Sequence, residues 1–160
     1  MATYYVRITG NDNSNGTSPS TAWRTFNKAL GAAGISSGDT VYIGAGVYRE
    51  TVTVGMTSAT VETMIIGDIN GFYTGDAGEV TLTAYIVNDK TIPSAATTLT
   101  MSGKKYLTFK NIIFVGGNTS PSVVSSSSNP QYTKFENCVF IGSRGAGAII
   151  IIATVDNPLY

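Results

Sequence analysis

One twelve-residue pattern occurs twice in this chain. Tyr106 to Gly117 reads YLTFKNIIFVGG and Tyr132 to Ser143 reads YTKFENCVFIGS, aligning without a gap at an offset of 26 residues. Tyr106 meets Tyr132, Phe109 meets Phe135, Asn111 meets Asn137, Phe114 meets Phe140 and Gly116 meets Gly142. Ile112, Ile113 and Val115 meet Cys138, Val139 and Ile141, so these positions stay apolar. A fixed period of this size marks stacked units, each too thin to bury its own hydrophobic face. Both segments are rich in aromatic and β-branched residues and run into Gly or Ser-rich turns, which makes the units strand-like. The stack places Phe109 and Phe135 in one interior column. It sets Asn111 above Asn137 at a bend, where stacked amides bond along the axis. Coincidence between two β-rich segments is the alternative, and five ungapped identities weigh against it.

A unit of this length matches one coil of a parallel β-helix, so the expected class is all-β and solenoidal. The 160 residues make one domain, long enough to bury a core. The charged fraction is 12 %, about half the usual share. In its place stand 22 Thr, 15 Ser and 11 Asn, a hydroxyl and amide surface that suits solenoids and extracellular or virion proteins. Net charge is zero, which leaves no electrostatic footprint for nucleic acid or an anionic membrane. There is no histidine, the commonest general base and transition-metal ligand. Cys138 is the single cysteine and lies in the apolar repeat, where a small buried hydrophobe fits better than a nucleophile.

The opening MATYYVRITG has no basic segment followed by an apolar core, so no signal peptide is read there. The apolar run Ala146 to Val155 is too short to span a bilayer. Export would then need another route, such as lysis of an infected host. Tyr4 to Thr9 alternates as a first strand, and residues 10–20 form a Gly, Asn, Asp, Ser and Pro loop. The helix is placed at Thr25 to Ala33, with Phe26, Ala29, Leu30 and Ala33 on one face, Thr25 as cap and Gly34 as stop. Laid across the first coil, it shields an apolar cross-section from water. Residues 1–37 thus read as the cap and 38–160 as four to five coils. Their strands include Thr40 to Ile43, Val47 to Val54, Met64 to Gly67, Val80 to Ala84 and Thr98 to Met101. Val41 and Ile43 point inward and Tyr42 outward. Lys90 to Ala96 reads as an excursion, and residues 118–131 as a loop projecting from the stack.

The stretch from Tyr4 to Val54 resembles the amino-terminal cap and first coil of right-handed parallel β-helix proteins of the pectate-lyase-like superfamily. Its carriers are Gly10-Asn11-Asp12, Gly16-Thr17, Trp23 with Thr25, Lys28-Ala29, Gly38-Asp39-Thr40-Val41 and Gly46-Val47-Tyr48-Arg49-Glu50. The resemblance implies a right-handed, single-stranded parallel β-helix with one short N-terminal capping α-helix. It carries little about activity, because this opening fronts lyases, hydrolases, surface proteins and phage virion proteins alike.

Several constellations bear on chemistry. Asp68, Asn70, Asp76 and Glu79 occupy positions 1, 3, 9 and 12 of a calcium-loop template, but Phe72 and Tyr73 stand where an oxygen ligand and the turn glycine belong. A glycine-rich loop closing a coil is the competing reading. The same stretch, GDINGFYTGDAGEV, looks like loops in tailed-phage β-helix proteins. The acids are Asp12, Asp39, Glu50, Glu62, Asp68, Asp76, Glu79, Asp89, Glu136 and Asp156, and no pair recurs on one register as glycoside hydrolysis needs. Lys110 over Glu136 reads as an outer-face ion pair, and Arg49-Glu50 as a solvated or locally paired motif. No catalytic residue and no cofactor are assigned. Tyr42, Tyr48, Tyr73, Tyr85 and Trp23 are the aromatics available for a pyranose face, although Trp23 fits better as the anchor beneath the cap helix.

Only the amino end shows a cap. The last coil is expected to continue into further chain or to meet another subunit. The leading expectation is a non-enzymatic bacteriophage virion component of capsid-decoration, fibre or spike type, with glycan contact through side loops. By resemblance it is a homotrimer, located in the virion and partnered by other virion proteins, with no nucleic acid or membrane partner. The alternatives are the front portion of a polysaccharide lyase or depolymerase, and a bacterial surface adhesin.

Overall fold

The structure is a computed structural model that describes residues 1–57, 59–84, 97–116, 123–126, 131–142 and 150–152. Among the described residues it is all-β apart from one helix and one 3₁₀ turn, and its sheets are parallel. The first sheet takes, in spatial order, β1 (Thr3–Val6), β2 (Thr40–Ile43), β5 (Thr63–Gly67), β8 (Leu107–Lys110) and β11 (Lys134–Glu136). The second takes β3 (Gly46–Arg49), β6 (Val80–Thr83), β9 (Ile113–Val115) and β12 (Val139–Ile141). The third takes β4 (Val52–Thr53), β7 (Leu99–Thr100), β10 (Val124–Ser126) and β13 (Ile150–Ile152). From β2 onward the chain visits the first, second and third sheet in rotation, so from β5 onward each strand pairs with the strand three places before it.

That rotation builds side-chain columns. Tyr4, Val41, Ile65, Phe109 and Phe135 are in register across the first sheet. Tyr48, Leu82, Phe114 and Phe140 are in register across the second. Phe109 stacks on Phe135 at 5.2 Å and Phe114 on Phe140 at 5.4 Å, while Phe109 and Phe114 meet edge to face at 5.9 Å. The repeated phenylalanines therefore form one four-ring cluster. Phe109 and Phe114 are fully buried, whereas Phe135 and Phe140 pack on the core half-buried.

The repeated polar residues fix the bend between the first and second sheets. Asn111 and Asn137 have φ of 57° and 51°, in the left-handed region that Asn tolerates better than most residues. Asn137 Nδ2 donates to Asn111 Oδ1 at 2.7 Å, and Asn111 Nδ2 donates to the Gly67 carbonyl at 3.3 Å. Gly67 ends β5 one layer earlier, and a Cβ there would run into the Asn111 carbonyl oxygen. Tyr106 and Tyr132, also left-handed at φ 56° and 58°, stack at 4.6 Å on the entry side.

The amino-terminal helix α1 spans Phe26–Leu30, shorter than the Thr25 to Ala33 span expected from periodicity. Thr25 caps it, accepting from the Lys28 amide at 3.0 Å, and Glu50 accepts from the Phe26 and Asn27 amides at 2.9 and 3.0 Å. It stops at Gly31 rather than Gly34. The Leu30 carbonyl is taken by the Gly55 and Met56 amides, which ties the last turn to the chain after β4. Ala33 is exposed, and Ile35 fills the core in its place. Phe26, Ala29 and Leu30 are buried as expected. Trp23 is buried, stacks on Tyr4 at 4.8 Å and donates Nε1–H to the Ser14 carbonyl. The run Val47 to Val54, read as one strand, divides between two sheets, because Glu50 turns aside to hold the helix. The excursion at Lys90 to Ala96 and most of the loop at 118–131 lie outside the described residues.

Candidate functional site

The bend that Asn111 and Asn137 make in one residue is, between β5 and β6, an excursion over residues 68–79. Its geometry follows from two aspartates. Asp68 is buried, and its carboxylate accepts from the amides of Phe72, Tyr73 and Thr74 at 3.1, 2.8 and 2.7 Å and from the Thr74 hydroxyl at 2.9 Å. Three consecutive amides on one carboxylate fix the loop tip. Asp76 receives a fork from the first strand's exit: Arg7 Nε donates to Oδ2 at 2.7 Å and Nη2 to Oδ1 at 2.6 Å. The hydrogen bonds from Arg7 hold the Asp76 carboxyl below the usual carboxylate range against the opposing effect of burial. An antiparallel bridge from Asn70 to Ala77 closes the base.

This rigid loop presents aromatic rings. Phe72 is 85 % exposed and Tyr73 is 45 % exposed, unusual for large apolar side chains. Tyr73 lies flat on Tyr42 at 3.7 Å with 9° between planes, and Phe72 meets Tyr73 edge to face at 5.3 Å. Tyr5, beside Tyr42 in register, tilts against it at 6.3 Å. Burial, with the hydrogen bond to Tyr73 second, pushes the Tyr42 hydroxyl up to about 12. The outcome is a run of mutually packed rings on the outer side of the first sheet, with Phe72 and Tyr73 its exposed members. Exposed rings beside phenolic hydroxyls offer an apolar surface with a polar rim.

Of the tyrosines expected to face outward, Tyr42 and Tyr73 meet. Tyr85 lies outside the described residues. Tyr48 is a correction: it is buried, its ring packs edge-on to Phe26 at 5.0 Å and its hydroxyl donates to the Gly44 carbonyl at 2.9 Å. The chain re-enters the second sheet at Gly46 in a conformation, φ 150°, that resets which residue faces inward. Phe72 and Tyr5 belong to the site without having been singled out for it. Phe72 served only to count against calcium, and Tyr5 had no partner until the β1–β2 register placed it beside Tyr42.

Of the four residues of the calcium template, Asp68 is spent on loop amides and Asp76 on Arg7, while Asn70 and Glu79 are exposed. Among the described residues no three His, Cys, Asp or Glu side chains gather to hold an ion. The other acids hold the fold in the same way. Asp12 accepts from the Arg24 amide and the Thr25 hydroxyl, and Asp39 from the Ala2 and Ser36 amides. Glu62 accepts from Thr108 and Lys134, and Glu136 pairs with Lys110 at 3.1 Å, the outer-face pair expected from the repeat. Glu79 lines a cleft of about 360 Å³ with Ile69, Asn111, Ile113 and Asn137. Asp89 and Asp156 lie outside the described residues. Cys138 is half-buried, and burial pushes its thiol up, away from the reactive thiolate.

No helix among the described residues is long and apolar enough to cross a membrane. No family model, curated protein or solved structure matches the chain.

Proposed function

We propose that the three sheets are the faces of a right-handed, single-stranded parallel β-helix, and that it serves as a non-enzymatic structural module of a bacteriophage virion that contacts glycans. The strand rotation supports the helix, and returns between parallel strands of one sheet are right-handed in about 98 % of cases. The resemblance of the opening and of the 67–80 loop to phage β-helix proteins supports the virion setting. One observation carries the glycan role: Asp68 locks the tip that holds Phe72 in solvent and stacks Tyr73 on Tyr42. A surface ordered before its ligand arrives loses little freedom on binding. The use of seven carboxylates as caps and ties supports a binding rather than a hydrolytic role. A polysaccharide lyase or depolymerase would have to find its acid and base elsewhere.

The test is NMR titration of the 160-residue chain with capsular and pectic oligosaccharides, with unsaturated and reducing ends assayed in parallel. Shifts confined to Tyr5, Tyr42, Phe72 and Tyr73, and lost in Phe72→Ala and Tyr73→Ala, are the expected result. New unsaturated or reducing ends would overturn the non-enzymatic reading, and binding indifferent to both variants would overturn the site. Mass spectrometry of purified phage particles tests the virion setting: the chain is expected among their proteins.

A further inference from the structure

Glycans differ in charge as well as in shape, and the loop over residues 68–79 sets the charge that its rings present. It carries Asp68, Asp76 and Glu79 and contains no lysine or arginine. Asp76 is neutralised by the fork from Arg7. Asp68 is not. Its donors are the amides of Phe72, Tyr73 and Thr74 and the Thr74 hydroxyl, all uncharged. Among the described residues no Lys or Arg forms an ion pair with it. Amide dipoles satisfy the carboxylate without cancelling its charge.

That charge lies at the root of the rings. Two of the amides it holds belong to Phe72 and Tyr73, the exposed members of the run. Asp68 is itself buried, so salt and water screen it less than they would a surface carboxylate. Burial is the largest cause that raises the Tyr42 hydroxyl, and the Asp68 charge is among the others. Its field therefore reaches the phenolic edge of the site. Glu79, exposed where the loop runs into β6, adds a second negative charge, and ring faces are negative in their own right.

The nearest cations along the sheet are already paired. In the outward column that begins with Tyr5 and Tyr42, Ile66 comes next and then Lys110. Two strand spacings set Lys110 about 10 Å from Tyr42, and Glu136 pairs with it at 3.1 Å. Lys134, in the neighbouring column, pairs with Glu62 at 3.3 Å.

We infer that the aromatic surface takes a glycan without acidic groups and discriminates against one whose rings carry carboxylates. This rests on the glycan reading and narrows it. A uronate brought against Phe72 and Tyr73 would give up water beside an unneutralised carboxylate, with no guanidinium or ammonium to receive it. A sugar hydroxyl or a methyl ester meets neither obstacle, so the selectivity comes from repulsion of the wrong ligand.

Matched pairs of oligosaccharides separate charge from shape. One pair is an oligogalacturonide in fully methyl-esterified and de-esterified form, and the other is a gluco-oligosaccharide with its C6-carboxylated counterpart. Ring signals of Phe72 and Tyr73 in the 160-residue chain are followed by NMR titration. Salt is set at about 0.01 M and then about 1 M, where the screening length falls from about 30 Å to about 3 Å. The expected result is that an uncharged member binds and its acidic partner binds at least about tenfold more weakly at low salt, the ratio shrinking at high salt. In Asp68→Asn, shown to be folded by circular dichroism, the ratio is expected to shrink without added salt. The salt series tests the same point in the unaltered chain. An acidic member that binds as tightly as its partner, or a ratio indifferent to salt, overturns the inference and leaves the glycan reading standing. A ratio unchanged in folded Asp68→Asn overturns the assignment to that carboxylate. No shift with any of the four ligands overturns the glycan reading and this inference with it.

Discussion

Asn111 shows how much one side chain settles. It holds a left-handed backbone, its amide joins the carbonyl of Gly67 to the side chain of Asn137, and it ends the strand that buries Phe109. Asn111→Ala and Asn111→Gly both delete the amide ladder, but only alanine opposes the backbone. The alanine variant is expected to be the less stable of the two by about 1 kcal/mol, measured by urea denaturation; equal stabilities would mean the left-handed bend is not held in solution. This residue was legible because it recurs in step with Phe109. Tyr48 was not, since alternation counted from Tyr42 is lost across the corner at Gly44 to Gly46. Phase within a strand can be read from its pattern, but phase across a bend depends on backbone angles that the pattern does not carry.

Among the elements, the loop over residues 68–79 departs furthest from its sequence appearance. Its acids fill part of a calcium template beside the preferred reading of a glycine-rich closing loop, and in the structure Asp68 accepts from loop amides and Asp76 from a guanidinium distant in sequence, ties that no local template reveals. The Arg7–Asp76 fork makes this measurable, because its partners lie 69 residues apart. With both side chains about a quarter exposed, Asp76→Asn is expected to cost about 1–2 kcal/mol at neutral pH. The folded Asp76 has a lowered pKa, so its contribution is complete above the ordinary carboxyl value near 4 and is lost as pH falls through the depressed value. Denaturation midpoints of the two proteins should therefore converge on acidification, and a gap that stays constant would show that the charge is not what matters. The helix illustrates the complementary limit. Its face and its Thr25 cap were legible, but its end was decided by the Gly55 and Met56 amides, which claim the Leu30 carbonyl from across the molecule.

At the scale of the whole molecule, the 26-residue period fixed which strands lie over which wherever it is explicit, and Phe109 does face Phe135 across a parallel pair. The same register predicts a gradient. Phe109 is enclosed on all sides and Phe135 only partly, so Phe109→Ala is expected to cost about 3–5 kcal/mol and Phe135→Ala about half of that. Guanidinium denaturation at constant m-value checks the order, and equal losses would mean the outer layer is covered in solution. What the period does not convey is which way a continuous apolar run faces. Val139-Phe140-Ile141 has no alternation to read, and only the structure shows Phe140 packed on the core with Val139 and Ile141 exposed.

From β5 onward each described strand pairs with the strand three places before it, and in the proposed β-helix that makes length an inheritable quantity. In that proposed fold, copying the segment from Tyr106 onward by one period would add a tier whose contacts already exist below it. Losing a single residue inside Leu107–Lys110 would instead turn the remainder of that tier inside out, so growth by whole tiers is easy and drift by single residues is not.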